Sequence, residues 1–145
     1  MTRDVLLAKI ATIERCLGRI RAATGGNPTR VRGIDVQDIV VLNLQRAVQA
    51  AIDLAAHLIS DNHWGLPDSL KRHFTILEAQ GVIDADLTRK LESMVGFRNI
   101  AVHDYEALDV AILESIVRDH LVDLEQYVEA IKRRHGADDP DSSSS

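Results

Sequence analysis

The sequence predicts an all-α domain, a bundle of about five helices, and three observations carry that prediction. Apolar residues recur in alternating steps of four and three along most of the chain, the spacing of one helix face. Hydrophobic residues make up 46% of the 145 positions but aromatics only 3%, so the core must come from Leu, Ile, Val and Ala. That mix favours helix over sheet. No stretch reads as a strand. The length fits one domain, long enough to bury a core without metal or disulfide staples.

The first helix is expected from about Thr2 to Ala23, with Thr2 as its cap and Leu6, Ile10, Ile13, Leu17 and Ile20 on one face. Gly25, Gly26 and Pro28 then break it. Asp35 is the expected N-cap of a second helix that carries Val40, Leu44, Ala47, Ala51, Leu54 and Leu58 to about Asp61, before Gly65 and Pro67. At about 1.5 Å per residue this is a rod near 40 Å long, a length suited to a bundle that pairs with a second copy. A shorter helix, SLKRHFTILEAQG, is capped by Asp68 or Ser69 and stopped by Gly81. A fourth begins near Asp84 with Leu87, Leu91, Met94 and Val95. Asp109 caps the last, whose stripe is Leu113, Ile116, Val117, Leu124, Val128 and Ile131, with Lys132, Arg133 and Arg134 in its final turn. The helical domain is therefore placed at residues 1–136. Residues 137–145, ADDPDSSSS, are polar, acidic, low in complexity and expected to be a disordered tail.

Composition narrows the function. The lone Cys16 has no partner for an internal disulfide and falls in a helical pattern, which fits a small buried side chain in a reducing cytoplasm. The charged N-terminus is not a signal peptide, and no uninterrupted apolar run approaches the roughly 18 residues that span a bilayer. A formal net charge of -5 argues against a dedicated basic nucleic-acid clamp. Three of the acids, Asp138, Asp139 and Asp141, lie in the tail, so the body is nearer neutrality and can carry a local basic patch.

The fourth helix runs into FRNIAVHDY, which sets Arg98, Asn99, His103, Asp104 and Tyr105 around the apolar Ile100, Ala101 and Val102. On a straight helix Arg98 and Tyr105 share a face, as do Asn99 and His103. Arg98 and His103, five apart, point roughly 140° away from each other. They meet on one ligand only if the helix ends or distorts near His103, or if a two-fold dimer brings two copies of the segment together. Histidine titrates near neutral pH and serves as general acid or base. Arginine forks onto phosphate and steadies developing charge. The pair is a minimal set for cutting RNA by attack of its own 2′-hydroxyl, with Asn99 orienting and Tyr105 donating to phosphate. The competing reading makes His103 a packed or surface side chain and pairs Arg98 with Asp104 or another acid.

Arg98 to Tyr105, RNIAVHDY, matches the RxxxxHxY pattern of the HepT-like proteins of the HEPN superfamily, and the second helix, LNLQRAVQAAIDLAAHLI, and the final helix also resemble that family. The resemblance implies an all-α HEPN-type homodimer. It also implies the toxin half of a type VII-like toxin–antitoxin system, a metal-independent endoribonuclease acting on mRNA or tRNA, with no cofactor. The partner implied is an MntA-like minimal nucleotidyltransferase antitoxin that transfers AMP to Tyr105. Arg98 and His103 would be catalytic. An AMP group two residues from His103 adds bulk and negative charge that repel RNA phosphate. The alternative from another class is a non-catalytic helical binding partner of a nucleotidyltransferase.

Asp53 and His57, four apart on the second helix, are placed as supporting residues with Asn99, through a possible Asp–His hydrogen bond. Arg30, Arg32, Lys71 and Arg72 are the candidates for the RNA backbone. His57, His63 and His73 lack the spacing of a compact metal site, so no metal is expected. His120 falls on the apolar stripe and is expected in the core or at a dimer seam.

Overall fold

The computed structural model describes residues 3–137. They form six α-helices, with no strand among the described residues: α1 Arg3–Thr24, α2 Ile34–Asp61, α3 Leu70–Ala79, α4 Ala85–His103, α5 Val110–Asp119 and α6 Leu121–Ala137. Two short 3-10 helices, Pro28–Arg32 and Tyr105–Ala107, join them. The Thr2 cap and residues 138–145 of the expected tail lie outside the described residues, and α6 runs one residue past the expected boundary at Gly136.

The helix count is six, not five, because the last expected helix breaks at His120. Its backbone leaves helical geometry (φ -120°, ψ -2°) after its N–H has closed α5 on the Ile116 carbonyl at 2.8 Å. Its Nδ1 turns to Asp123 Oδ2, 2.8 Å away in the first turn of α6, and Asp123 is buried. The apolar stripe is continuous across the break, with Leu113 and Ile116 on one side and Leu121, Leu124, Val128 and Ile131 on the other. Periodicity alone therefore reads through it. His120 is a half-exposed hinge residue and not a core histidine.

α2 is the centre of the bundle and packs on α1, α3, α4 and the first 3-10 helix. Its 28 residues make a rod of about 42 Å. Neighbours on several sides explain its apolarity: Val40, Leu44, Ala47, Leu54, Ala55 and Leu58 are fully enclosed. By length and composition alone α2 could cross a membrane, but 61% of that window is buried inside the protein. Asp35 is not its cap. Gly33 occupies that position with no side-chain hydrogen bond, and Asp35 sits in the first turn, where its charge still suits the helix dipole. The reason lies upstream. Asn27 caps the 3-10 helix by accepting from the Thr29 N–H at 3.1 Å, Pro28 starts it, and its Val31 is driven fully into the core. The chain therefore re-enters helix at Ile34.

The caps expected at Ser69 and Asp109 form, and Asp84, expected as the start of the fourth helix, caps it. Ser69 accepts from the Arg72 N–H at 3.1 Å, Asp84 from Leu87 at 2.8 Å and Asp109 from Ala111 at 2.9 Å. Gly81 ends α3 with φ +75°, the left-handed region that glycine enters without strain. Cys16 is buried against α2, and burial pushes its thiol pKa up while Arg15, Arg19 and Arg46 pull it back. Tyr127 ties three helices together: its hydroxyl donates to the Ala51 carbonyl at 2.8 Å, and its ring meets Phe74 edge-on at 5.7 Å. Burying each such Leu or Ile of the α1–α2 seam contributes about 1.5–3 kcal/mol, so the long α2 is held rigidly under the segment it supports.

Candidate active site

α4 delivers the segment Arg98–His103, and it ends there. Asp104 is extended (φ -153°, ψ 75°) while its N–H still reaches the Ile100 carbonyl at 2.8 Å. Tyr105 opens the second 3-10 helix. The helix therefore stops after His103, not before it. Arg98 and His103 remain five residues apart within one continuous helix, so the roughly 140° between them persists in a single chain. The re-aimed residue is Tyr105. Helical spacing no longer sets its position, as the straight-helix expectation required.

Two contacts to α2 fix the segment. Arg98 Nη2 donates to Gln49 Oε1 at 2.8 Å, and its Nη1 donates to Asn99 Oδ1 at 3.0 Å. Tyr105 donates its hydroxyl to Asp38 Oδ1 at 2.6 Å. Asp38 and Gln49 are eleven residues apart, about 16 Å along α2 and within about 20° of the same face. Both ends of the motif are thus docked on one stripe of one rigid helix. Partial burial, and then the Asp38 carboxylate holding the proton, push the Tyr105 phenol up to about 12.

Gln49 extends this arrangement. Its amide donates to Asp53 Oδ1 at 2.9 Å, and Lys9 Nζ of α1 holds Asp53 Oδ2 at 2.9 Å. A polar chain therefore runs Lys9–Asp53–Gln49–Arg98–Asn99 across three helices. It corrects the expectation for Asp53 and His57: the two oxygens of Asp53 are held by Lys9 and Gln49, and half-buried His57 lies one turn further along α2. Asp53 supports Arg98 through Gln49 instead. The Nε of Arg98 is buried without a partner among the described residues. Among the described residues Arg98 pairs with no acid, against the competing reading, while His103 is exposed at the helix end, as the surface form of that reading has it.

The expected backbone contacts scatter. Arg32 is ion-paired to Glu114 of α5 at 3.0 Å, and the guanidinium of Arg30 lies over Gly25, where an added side chain would meet it at 3.4 Å. Lys71, on α3, lies over Gly96, and Arg72 is exposed beside it. Sequence reasoning missed Gln49, Asp38 and Lys9. The available signal was weak: Gln49 precedes Asp53 by four on the face that Asp38 begins. Among the described residues no cluster of His, Cys, Asp or Glu could hold a metal ion. His73 turns its Nδ1 to the carbonyls of Ser69 and Leu70.

Known proteins resemble this chain over most of its length. Residues 13–131 match the family described as Ribonuclease HepT-like. The chain is 42% identical over 129 residues to the mRNA nuclease HepT of Shewanella oneidensis, covering 89% of this chain and 97% of that protein. Among solved structures it is similar to a toxin–antitoxin complex with AMP-PNP (TM-score 0.86, 40% identity, 90% of this chain and 99% of the other). It is equally similar to the tri-AMPylated HEPN toxin of Shewanella oneidensis in complex with MNT antitoxin (TM-score 0.86, 41% identity, 91% and 99% covered).

Proposed function

This chain belongs to the HepT-like ribonuclease family, and from that premise we propose that it is the toxin of a toxin–antitoxin pair, an endoribonuclease neutralised by AMP transfer from a nucleotidyltransferase partner. The observation that carries the reading is Arg98. It is an arginine without an acid partner, aimed by Gln49 and Asn99, on the same helix as a free histidine. A guanidinium has five N–H donors. Gln49 and Asn99 engage the two terminal nitrogens, whose remaining N–H groups are left for phosphate oxygens.

The proposed reaction needs no metal. His103 takes the proton from the ribose 2′-hydroxyl, the oxygen attacks the adjacent phosphorus, and the bond from phosphorus to the 5′-oxygen breaks as that oxygen takes up a proton from water. The products carry 2′,3′-cyclic phosphate and 5′-hydroxyl ends. Arg98 stabilises the charge that grows on the phosphoryl oxygens.

The 140° between Arg98 and His103 is resolved by a homodimer. α4, which carries the motif, exposes Ile100 and Val102, and α2, which supports it, exposes Ile39 and Leu42, each between 45% and 47% accessible, large apolar side chains that a second copy would cover. The arginine of one copy and the histidine of the other then face one scissile phosphate.

Tyr105 is the proposed site of AMP. It is 40% exposed, and Asp38 stands ready to take the phenol proton as the oxygen attacks the α-phosphorus of ATP and pyrophosphate departs. An RNA substrate and an unpaired cysteine suit the cytoplasm. Expression of the gene without an antitoxin tests the proposal. Wild type should halt growth, and a folded His103→Ala variant should not. A folded variant as toxic as wild type would remove His103 from the mechanism.

A further inference from the structure

α1 and α2 run antiparallel, and between them lies a groove of about 300 Å³ lined by Lys9, Arg15, Arg19, Arg46, Gln49 and Asp53 among others. Three of these six already belong to the chain that holds Arg98: Gln49 bonds it directly, Asp53 bonds Gln49 and Lys9 bonds Asp53. The groove is therefore continuous with the candidate active site.

Its cations are grouped along one trough. Outside it several basic side chains meet acids: Arg21 with Glu125, Arg32 with Glu114, Lys90 with Asp86, Arg118 with Asp119 and Lys132 with Glu14. Within the groove the one acid, Asp53, is already neutralised by Lys9. Arg15, Arg19 and Arg46 are exposed and have no ion pair or hydrogen bond to any carboxylate among the described residues. Three free cations thus converge on one trough of a protein whose formal net charge is -5. Their arrangement is linear. Arg15 and Arg19 are one turn apart on α1, Arg46 stands opposite on α2, and Lys9 to Arg19 spans about 15 Å. Like charges crowded along a line repel each other, so the array is suited to a ligand that brings several anionic groups in a row.

We propose that this α1–α2 groove is a track for the sugar–phosphate backbone of single-stranded RNA, which Arg15, Arg19 and Arg46 lead toward Arg98. The track rests on the ribonuclease reading above. It takes precedence over Arg30, Arg32, Lys71 and Arg72 as the principal backbone contact, since its three arginines share one groove that adjoins the site. It supplies affinity without base selection, because phosphate contacts position the chain and do not read its sequence.

The test measures binding of a labelled single-stranded RNA of about 30 nucleotides as salt is varied. The proteins are the full-length His103→Ala chain and the same chain carrying Arg15→Gln, Arg19→Gln and Arg46→Gln. Each phosphate contact on a single strand contributes about 0.7 to the salt slope, so three should lower it by about 2 and weaken binding by roughly 100-fold at 0.1 M salt. Arg118→Gln, which breaks a pair outside the groove, should change neither. Melting temperatures confirm that each variant is folded. A folded triple variant that binds with unchanged affinity and slope overturns the track. So does a triple variant that keeps RNA but loses the nucleotidyltransferase, which would make the groove a protein-docking face. If the parent itself binds no RNA and wild type cuts none, the ribonuclease reading fails first and the track falls with it.

Discussion

Gln49 offers a sharp prediction because it touches Arg98 but has no chemistry of its own to offer. Gln49→Ala removes the acceptor that Arg98 Nη2 reaches at 2.8 Å and frees Asp53 from one of its two partners. A hydrogen bond to a charged group contributes about 1.5–3 kcal/mol net. Lost entirely from the transition state, that is about 10- to 150-fold in rate. Arg98 keeps its contact to Asn99 and is only half-buried, so the lower end, about tenfold, is expected. The assay is single-turnover cleavage of a fluorogenic RNA by wild type, Gln49→Ala, Arg98→Ala and the double variant. If Gln49 acts through Arg98, its removal costs nothing further once Arg98 is gone. A folded Gln49→Ala chain that cuts at the wild-type rate refutes the reasoning, as does a tenfold loss that persists in the Arg98→Ala background.

Two further outcomes follow from single contacts. Asp38→Asn should lower the Tyr105 transition in an ultraviolet titration from about 12 toward 10, but not all the way, because partial burial remains. The phenol's folded pKa lies above its unfolded one, so its stabilising contribution is complete below pH 10 and disappears as pH rises through about 12. The substitution should shrink that alkaline window, and an unchanged titration would show that the Tyr105–Asp38 bond does not form in solution. Tyr127→Phe should lower stability by about 1 kcal/mol through loss of the bond to the Ala51 carbonyl. The denaturant midpoint should fall at constant slope while RNA cleavage stays at the wild-type level.

The all-α class was legible because each helix buries one stripe, and that stripe survives as four-and-three spacing. The caps Ser69 and Asp109, and the helix start at Asp84, were legible for the same local reason: each of the three acts on an amide two or three residues away. The break at His120 was not, since the apolar stripe crosses it without interruption and the partner that turns the imidazole, Asp123, reads as one more polar residue. Asp35 was misread as a cap because Val31 packs into the core and draws the 3-10 helix close. At the site, Arg98, His103 and Tyr105 stood out as a local cluster. Their supports, Gln49, Asp38 and Lys9, lie between 49 and 89 positions away from them in the chain. No local pattern encodes a contact of that range. The free arginines of the α1–α2 groove were hidden for a related reason. Only the fold shows which cations are paired with acids and which are left open.

The central claim is that the Arg98–His103 pair cuts RNA without metal. The most direct test is cleavage in EDTA by wild type and His103→Ala, on protein made without antitoxin and shown by intact mass to carry no AMP. The account predicts that wild type cuts and leaves 2′,3′-cyclic phosphate ends, while the variant, equally folded, leaves the RNA whole. Wild type that is silent in EDTA and active only with added divalent metal, or a variant that cuts as well as wild type, would contradict it.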